Sequence, residues 1–174
     1  RSRGLGDVYK RQVPEKGLTY LIDAFKNVDT DFKLVIAGGS SDTDTYTDQI
    51  KNMAKDDLRI LFTGFVQGKM LEELYSNAYV YVLPSDVEGM PLSLLEAMSY
   101  GNCCLVSDIK EITEVVEDKA VIFPKGNVNL LTKKLQFLCD NKSEVAQYKA
   151  QATEFICGKY NWNSVVNETV SLYY

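Results

Sequence analysis

Helix-like and strand-like segments alternate along this chain from Lys16 onwards, and this alternation limits the possible folds more than any other feature. The first helix is predicted from apolar residues at helical spacing, namely Leu18, Leu21, Ile22 and Phe25. A short β-rich run, 32–37, follows and ends at a pair of glycines. The alternation continues to residue 123, and helical patterns occupy the rest of the chain.

Repeated βα units of this length predict a parallel sheet covered by helices on both faces. The predicted strands are 32–37, 59–63, 79–83, 103–106 and 120–123. The predicted later helices are 46–54, a segment around 71–75, 91–100, 111–117, 128–140, 143–159 and 163–174. No linker or repeat interrupts the pattern. We therefore predict one α/β domain over residues 13–174, with a Rossmann-like, doubly wound parallel sheet.

The first twelve residues, RSRGLGDVYKRQ, show neither helical nor strand periodicity. Residues 7–12 back-translate as GAT GTG TAT AAG AGA CAG, which resembles the end of a common transposase sequencing adapter. We expect residues 1–12 to be a translated adapter that is not part of the fold. Leaving them out removes four basic residues and one acidic residue, so the net charge becomes more negative than the −5 of the whole chain.

Composition excludes several classes of function. The chain has no histidine, so a Ser-His-Asp triad or a histidine-bound metal within it is ruled out. The acidic balance argues against nucleic acid as a partner, because phosphate backbones are bound by Lys and Arg. No apolar run approaches the roughly 20 residues that a membrane helix needs, and no secretion leader opens the chain.

Ligands of such parallel sheets bind beyond the carboxyl ends of the strands. Three loops are therefore candidates, namely 38–44, 64–68 and 84–91. The third loop begins the segment 84–101, PSDVEGMPLSLLEAMSYG. Pro91 in this segment suits the first turn of a helix. The amides near Gly89, Met90, Leu92 and Ser93 are then unpaired donors at the positive end of a helix. This arrangement predicts a phosphate site.

Two acidic residues flank this predicted site, Glu88 before the helix and Glu96 within it. A carboxylate facing a diphosphate would be repelled, whereas it accepts hydrogen bonds well from sugar hydroxyls. The pattern therefore indicates a ligand with hydroxylated rings on both sides of a diphosphate, which is the shape of a nucleotide sugar. Lys16 is the best-placed cation for the remaining negative charge.

These segments resemble the motifs of the group 1 (family 4) glycosyltransferases. Residues 88–101 resemble the family's Glu-x7-Glu motif, and 13–17 resemble its phosphate-binding segment. Residues 62–66 resemble its base-pocket loop, and 160–162 its C-terminal helix signature. The resemblance runs from about Val13 to Tyr174 with all motifs in order. It implies the C-terminal, donor-binding half of a GT-B enzyme.

The resemblance also implies a role for each site residue. Glu96 holds the ribose hydroxyls, Glu88 contacts the donor sugar, and Lys16 stabilises the leaving diphosphate. In the family, an arginine five residues before that lysine normally helps to stabilise the diphosphate. Arg11 occupies this position here, within the adapter-like segment. The other implied donor-binding residues are Gly38, Gly39, Phe65, Val66, Gly89, Met90, Pro91 and Leu92. Met90 departs mildly from the apolar residue, often Phe, that family members carry after the glycine.

The implied reaction moves a sugar from a nucleotide diphosphate-sugar to an acceptor hydroxyl with retention, in cell-envelope or exopolysaccharide synthesis. No metal or other cofactor is implied. The acceptor, a glycan or a lipid-linked sugar, would bind an N-terminal domain that this chain lacks, so we expect the fragment alone to be inactive. The expected location is the cytoplasm, with peripheral association of the full-length protein at the inner membrane face left open.

Three other functions are consistent with parts of the sequence. The Asp42-Thr43-Asp44 string is compatible with a divalent ion that bridges a diphosphate, as in GT-A transferases. A GT-B epimerase acting on the nucleotide sugar itself would need the same donor site. A non-catalytic nucleotide-binding domain would need only the fold and the phosphate loop.

Overall fold

The computed structural model describes residues 4–5, 12–39, 44–161 and 170–171. Its six strands are β1 (Gly4–Leu5), β2 (Lys33–Ala37), β3 (Ile60–Gly64), β4 (Ala78–Leu83), β5 (Cys103–Ser107) and β6 (Val121–Phe123). Its helices are α1 (Leu18–Lys26), α2 (Asp44–Ala54), α3 (Lys69–Asn77), α4 (Leu92–Ser99), α5 (Lys110–Val116), α6 (Val128–Asp140) and α7 (Lys142–Lys159), with a 3₁₀ turn at Pro14–Lys16 before α1.

All strand pairs of the sheet are parallel, in the order β3-β2-β1-β4-β5-β6. This is the doubly wound order of dinucleotide-binding proteins. The chain moves outwards in one direction from β1 to β3, and then in the other direction from β4 to β6. The prediction of a Rossmann-like parallel sheet is therefore confirmed.

Alternating side chains of the central strands supply two separate cores. Val80 and Val82 of β4 belong to the core covered by α1, α2 and α6. Tyr81 and Leu83 belong to the core that α4 and α5 cover on the opposite face. Since successive side chains of a strand point to opposite faces, a strand buried on both sides needs the continuous apolar run that the sequence shows here.

The first strand departs from the expectation that residues 1–12 are not part of the fold. Gly4–Leu5 pairs with β2 on one side and β4 on the other. Gln12 is also buried, and its backbone amide donates to the carbonyl oxygen of Gly39 at 3.1 Å. The physical reason is that strand pairing uses backbone groups, so an extended segment without proline can fill a gap between two strands. Whether these residues derive from an adapter is a separate question, and that origin stays a prediction.

The remaining elements match the predicted ones, with shifts of a few residues at their ends. Pro91 was predicted to lie in the first turn of α4, but it is the N-cap residue, immediately before Leu92. Most of the C-terminal helix predicted for 163–174 lies outside the described residues. Within this range the structure describes Val170 and Ser171, and both are helical.

Candidate active site

The strand order reverses between β1 and β4, and the loops that follow these two strands meet at the same edge of the sheet. Crevices at such reversal points are where doubly wound sheets bind ligands. The loop after β1 leads into the 3₁₀ turn that ends with Lys16. The loop after β4 carries Glu88. Residues 72 positions apart in sequence are therefore brought together.

Lys16 and Glu88 form an ion pair across this crevice. The Lys16 Nζ atom donates to Oε1 of Glu88 at 2.8 Å. The pair is shielded from water, because the exposed fractions of the two side chains are 14% and 3%. Charge–charge interactions are stronger here than at an open surface, since less water screens them. The two residues that were predicted to act on the donor are thus direct neighbours.

Glu88 is held in place from behind by two serines. Ser85 donates its hydroxyl to the same Oε1 atom at 2.7 Å. The hydroxyl of Ser107, at the end of β5, donates in turn to the backbone carbonyl of Ser85 at 2.6 Å. All three side chains are buried. The carboxylate is therefore fixed by a chain of hydrogen bonds that reaches into the sheet.

A second contact between the two loops was missed by sequence reasoning. The hydroxyl of Tyr20, in the first turn of α1, donates to Oδ2 of Asp86 at 2.6 Å. This hydrogen bond is the main reason why the pKa of Tyr20 is raised above its ordinary value. The amide of Asp86 donates to the carbonyl of Glu15 at 2.8 Å. No signal in the sequence indicated this contact, because Tyr20 and Asp86 are 66 positions apart.

A cleft of about 360 Å³ opens beside this contact, on the α1 and α2 side of the crevice. Its lining residues are mostly hydroxyl, amide or carboxylate bearing: Pro14, Glu15, Thr19, Tyr20, Tyr46, Gln49 and Asp86. Such a lining offers hydrogen-bond donors and acceptors close to the Lys16–Glu88 pair.

The start of α4 supplies the amides that the sequence predicted, with one exception. The amide of Leu92 donates to the carbonyl of Met90 at 2.9 Å and is therefore not free. Within the described residues, the amides of Gly89, Met90 and Ser93 make no hydrogen bond. A Cβ added to Gly89 would meet nothing within 4 Å, so a ligand can approach the backbone there. Met90 and Leu92 are exposed and form the rim of the loop.

Glu96 lies further along α4 and is exposed. Its Oε2 atom accepts a hydrogen bond from the hydroxyl of Tyr75, on α3, at 3.1 Å. Among the described residues, no hydrogen bond to its Oε1 atom is present. One carboxylate oxygen is therefore oriented by the protein, and the other is left for a ligand.

The loops after β2 and β3 lie side by side. The amide of Gly38 donates to the carbonyl of Gly64 at 2.9 Å, and a Cβ on Gly39 would lie 3.6 Å from the Cβ of Phe65. Phe65 is 66% exposed, whereas Val66 is buried and can offer a ligand only its backbone. Three other predicted site residues, Arg11, Asp42 and Thr43, lie outside the described residues.

Residues 8–155 match the sequence profile of the family "Glycosyl transferases group 1". The chain belongs to this glycosyltransferase family. The match covers most of the chain and contains the motifs at 13–17, 62–66 and 88–101, whereas the predicted signature at 160–162 lies beyond it. The fold described above is that of one of its members.

This glycosyltransferase is similar to larger proteins. An uncharacterised glycosyltransferase of Methanocaldococcus jannaschii is 30% identical over 167 residues, which are 91% of this chain and 42% of that protein. The O-antigen chain mannosyltransferase B of Escherichia coli is 27% identical over 168 residues, which are 92% of this chain and 43% of that protein. The chain thus spans less than half the length of these relatives.

Solved structures of glycosyltransferases share the fold. The crystal structure of TarM superposes with a TM-score of 0.85 at 25% identity, covering 99% of this chain and 35% of that one. The structure of Anabaena HepE in complex with UDP and glucose superposes with a TM-score of 0.86 at 18% identity, covering 97% of this chain and 48% of that one. Over the residues described here, no helix has both the length and the apolar character needed to cross a membrane.

Proposed function

We propose that this chain is the donor-binding half of a retaining glycosyltransferase that takes a sugar from a nucleoside diphosphate. The observation that carries the proposal is the shielded Lys16–Glu88 pair, which lies at the reversal point of the sheet beside the free amides at the start of α4. Membership of the glycosyltransferase family supports it, as does the UDP and glucose in the HepE structure of similar fold.

The two halves of a nucleotide sugar fit different parts of the site. The diphosphate would lie at the amides of Gly89 and Met90, where the positive end of α4 favours an anion. The ribose would reach Glu96, and the base would lie against the loop that carries Phe65 and Val66. The sugar would lie near Glu88. Gly38 and Gly39 leave room for the donor next to the base.

The reaction breaks the bond between the anomeric carbon and the diphosphate oxygen, and forms a bond from that carbon to the acceptor oxygen. The acceptor proton passes to an oxygen of the departing diphosphate. Negative charge grows on the diphosphate as the bond breaks. Lys16 and the free amides are fixed in advance, so they stabilise that charge without reorganising. Retention requires the acceptor to approach the face that the diphosphate leaves.

The acceptor would be a glycan or a lipid-linked sugar, held by a further domain that precedes this one. The length of the relatives supports this division, because this chain matches less than half of each. One of these relatives is an O-antigen chain mannosyltransferase, which supports a role in cell-envelope or exopolysaccharide synthesis. The proposed location is the cytoplasm or the inner membrane face. The 174-residue chain by itself is expected to bind nucleotide weakly and not to transfer sugar.

Binding and product analysis in the full-length enzyme test the proposal. UDP, GDP and ADP are titrated into the wild type and Glu96→Ala, and we expect one of them to bind the wild type and to bind Glu96→Ala more weakly. The corresponding nucleotide sugar is then supplied with and without acceptor, and the anomeric configuration of the product is read by NMR. Sugar conversion without acceptor would indicate an epimerase, and binding of no nucleotide would contradict the proposal.

We also propose that transfer needs no metal ion, because Lys16 and the α4 amides already offset the diphosphate charge. Within the described residues, no group of three His, Cys, Asp or Glu side chains could hold a metal. Activity of the full-length enzyme should therefore survive EDTA. Loss of activity in EDTA, restored by manganese, would instead favour a metal bound through the Asp42–Asp44 loop.

A further inference from the structure

Two buried tyrosines support α4 from beneath, and they do so at different points. Tyr75, on α3, donates its hydroxyl to Oε2 of Glu96 at 3.1 Å. Tyr81, on β4, donates its hydroxyl to Oγ of Ser93 at 2.8 Å. The exposed fractions of the two side chains are 2% and 0%, and their ring centroids are 6.1 Å apart. The two residues are therefore alike in burial, and each donates its hydroxyl to a side chain of α4, but they differ in the side chain that they orient.

The phenol of Tyr75 has one proton, and two acceptors on the described helix α4 lie within its reach. The carbonyl oxygen of Ser93 is 3.4 Å away, whereas the Glu96 oxygen is at 3.1 Å. The carboxylate is both nearer and charged, and hydrogen bonds to charged acceptors are shorter and stronger than neutral ones. The proton therefore belongs mainly to the bond with Glu96.

This bond fixes a side chain that would otherwise be mobile. Glutamate has three rotatable side-chain bonds, and holding it in one rotamer costs entropy. The Tyr75 ring cannot move to follow it, because it is buried in the core and stacked on Tyr100 at a centroid distance of 5.4 Å. The carboxylate is consequently held in one orientation before any ligand arrives, with Oε1 left to accept hydrogen bonds.

We infer that Tyr75 is a positioning residue for the nucleotide, one that sets the preference for a ribose over a sugar without hydroxyls by orienting Glu96. The inference rests on the proposed function, in which Glu96 accepts the ribose hydroxyls. Tyr75 does not touch the ligand. Its effect is therefore confined to ligands that use Glu96, and this separates positioning from general support of the fold.

The test compares three single variants of the full-length enzyme, Tyr75→Phe, Tyr81→Phe and Glu96→Gln. Each is titrated with UDP, GDP and ADP and with their 2′,3′-dideoxy counterparts. For the base that binds, Tyr75→Phe should weaken binding of the ribonucleotide about tenfold, the size expected for a lost hydrogen bond to a charged group. Binding of the dideoxy counterpart should change little. Tyr81→Phe, the matched control, should leave the ratio of the two affinities as in the wild type.

A double variant checks that Tyr75 acts through Glu96. Tyr75→Phe combined with Glu96→Gln should bind the ribonucleotide as Glu96→Gln alone does, because a residue that works only through another adds nothing once its partner is altered. Thermal unfolding of every variant confirms that binding is measured on folded protein, and phenylalanine keeps the ring that fills the core.

The outcomes separate the inference from the proposed function. If the wild type binds ribonucleotide and dideoxynucleotide equally, or if Glu96→Gln keeps the wild-type preference, the proposed role of Glu96 is wrong and the role of Tyr75 is wrong with it. If Glu96→Gln abolishes the preference while Tyr75→Phe preserves it, only the inference is overturned. Equal weakening of both ligands in Tyr75→Phe, or the same change of ratio in Tyr81→Phe, also overturns it.

Discussion

The buried carboxylate of Glu88 is stabilised by its ion pair with Lys16 and its hydrogen bond from Ser85. A carboxylate with 3% of its side chain exposed is costly unless it is paired and hydrogen-bonded. Lys16 provides the countercharge and Ser85 a hydroxyl, both at Oε1. The same arrangement keeps the ammonium group of Lys16 at the mouth of the crevice, where the proposed diphosphate would leave. Under the proposed function, donor binding and the stability of the loop therefore depend on the same contacts.

Removal of the Lys16 charge should affect catalysis more than donor binding. In the full-length enzyme, Lys16→Met should lower kcat about 100- to 1,000-fold, because a preorganised group that stabilises developing charge contributes about that much. The KM for the donor should rise less. Steady-state kinetics measures both. The control is Lys110→Met, which breaks an exposed pair with Glu114 and should leave kcat unchanged. A large rise in KM with normal kcat would contradict the role of Lys16.

Asp57 gives the stability of the domain a dependence on pH. Its carboxylate accepts hydrogen bonds from the side chain of Arg59, which lower the pKa of Asp57 below its ordinary value. Arg59 also donates to the carbonyl oxygen of Val28, so the pair ties the end of α1 to the start of β3. Because the folded pKa lies below the unfolded one, the stabilisation is present above the unfolded pKa and disappears as the pH falls through the folded pKa.

Asp57→Asn should therefore lower the free energy of unfolding at neutral pH by about 1–3 kcal/mol, as expected for lost hydrogen bonds between charged groups. The difference from the wild type should shrink below about pH 4, where the unfolded-state carboxyl becomes protonated. Urea unfolding across the acid range measures it. Asp118→Asn, which removes an exposed partner of Lys119, should change little at any pH. A difference that is independent of pH would contradict the role of Asp57.

The sequence predicted some residues of the candidate site but not others. Lys16, Glu88 and Glu96 stood out because their chemistry and spacing fit a nucleotide sugar. Tyr75 and Tyr20 did not, because tyrosine among apolar residues predicts burial and says nothing about the partner of its hydroxyl. Those partners are 21 and 66 positions away, and only the fold brings them together.

At the scale of elements, Gly17 determines how closely the loop after β1 can approach the loop after β4. Its φ of 64° lies in the left-handed region, where a side chain is strained. A Cβ there would also lie 2.1 Å from the carbonyl oxygen of Pro84, far inside van der Waals contact. The absence of a side chain thus allows Lys16, the preceding residue, to reach Glu88.

Gly17→Ala should separate these two loops and weaken both folding and donor binding. Strain in the left-handed region alone costs about 1–2 kcal/mol, and the clash with Pro84 adds to it. Gly126→Ala is the matched control, since Gly126 has a φ of 70° but open space around its Cα. Thermal unfolding and nucleotide titration should show a larger loss of stability for Gly17→Ala, and a loss of affinity in that variant alone. Equal effects of the two substitutions would contradict the prediction.

The periodicity predicted most elements because local patterns and burial agree along this chain. Helix α6 has the predicted bounds, Val128–Asp140, and its buried residues follow a 3.6-residue repeat. The start of α4 was less predictable. Pro91 has a helical φ of −79° but a ψ of 69°, so the helix begins one residue later. The sequence fixes φ at a proline but leaves ψ to the surrounding loop.

For the whole molecule, the sheet requires a strand between β2 and β4, whatever its sequence. Two parallel strands that lack a neighbour expose rows of unpaired backbone groups at the centre of the domain. Gly4–Leu5 fills that place through backbone pairing with Lys33 and Leu34 on one side and Ala78 and Val80 on the other. The periodicity of residues 1–12 gave no sign of this strand, because two residues are too few to form a pattern.

Removal of this strand tests how far the domain depends on it. Deletion of residues 1–12 should lower the unfolding midpoint sharply or abolish cooperative unfolding, since each buried backbone group left without a partner costs about 1–3 kcal/mol. The double substitution Gly4→Val, Leu5→Val is the control. It keeps the backbone donors and acceptors and favours an extended strand, so its midpoint should stay close to that of the parent chain. Thermal unfolding followed by circular dichroism compares the three proteins. If the deletion variant unfolds at the parental midpoint, residues 1–12 are dispensable for the fold, as their adapter-like sequence first predicted.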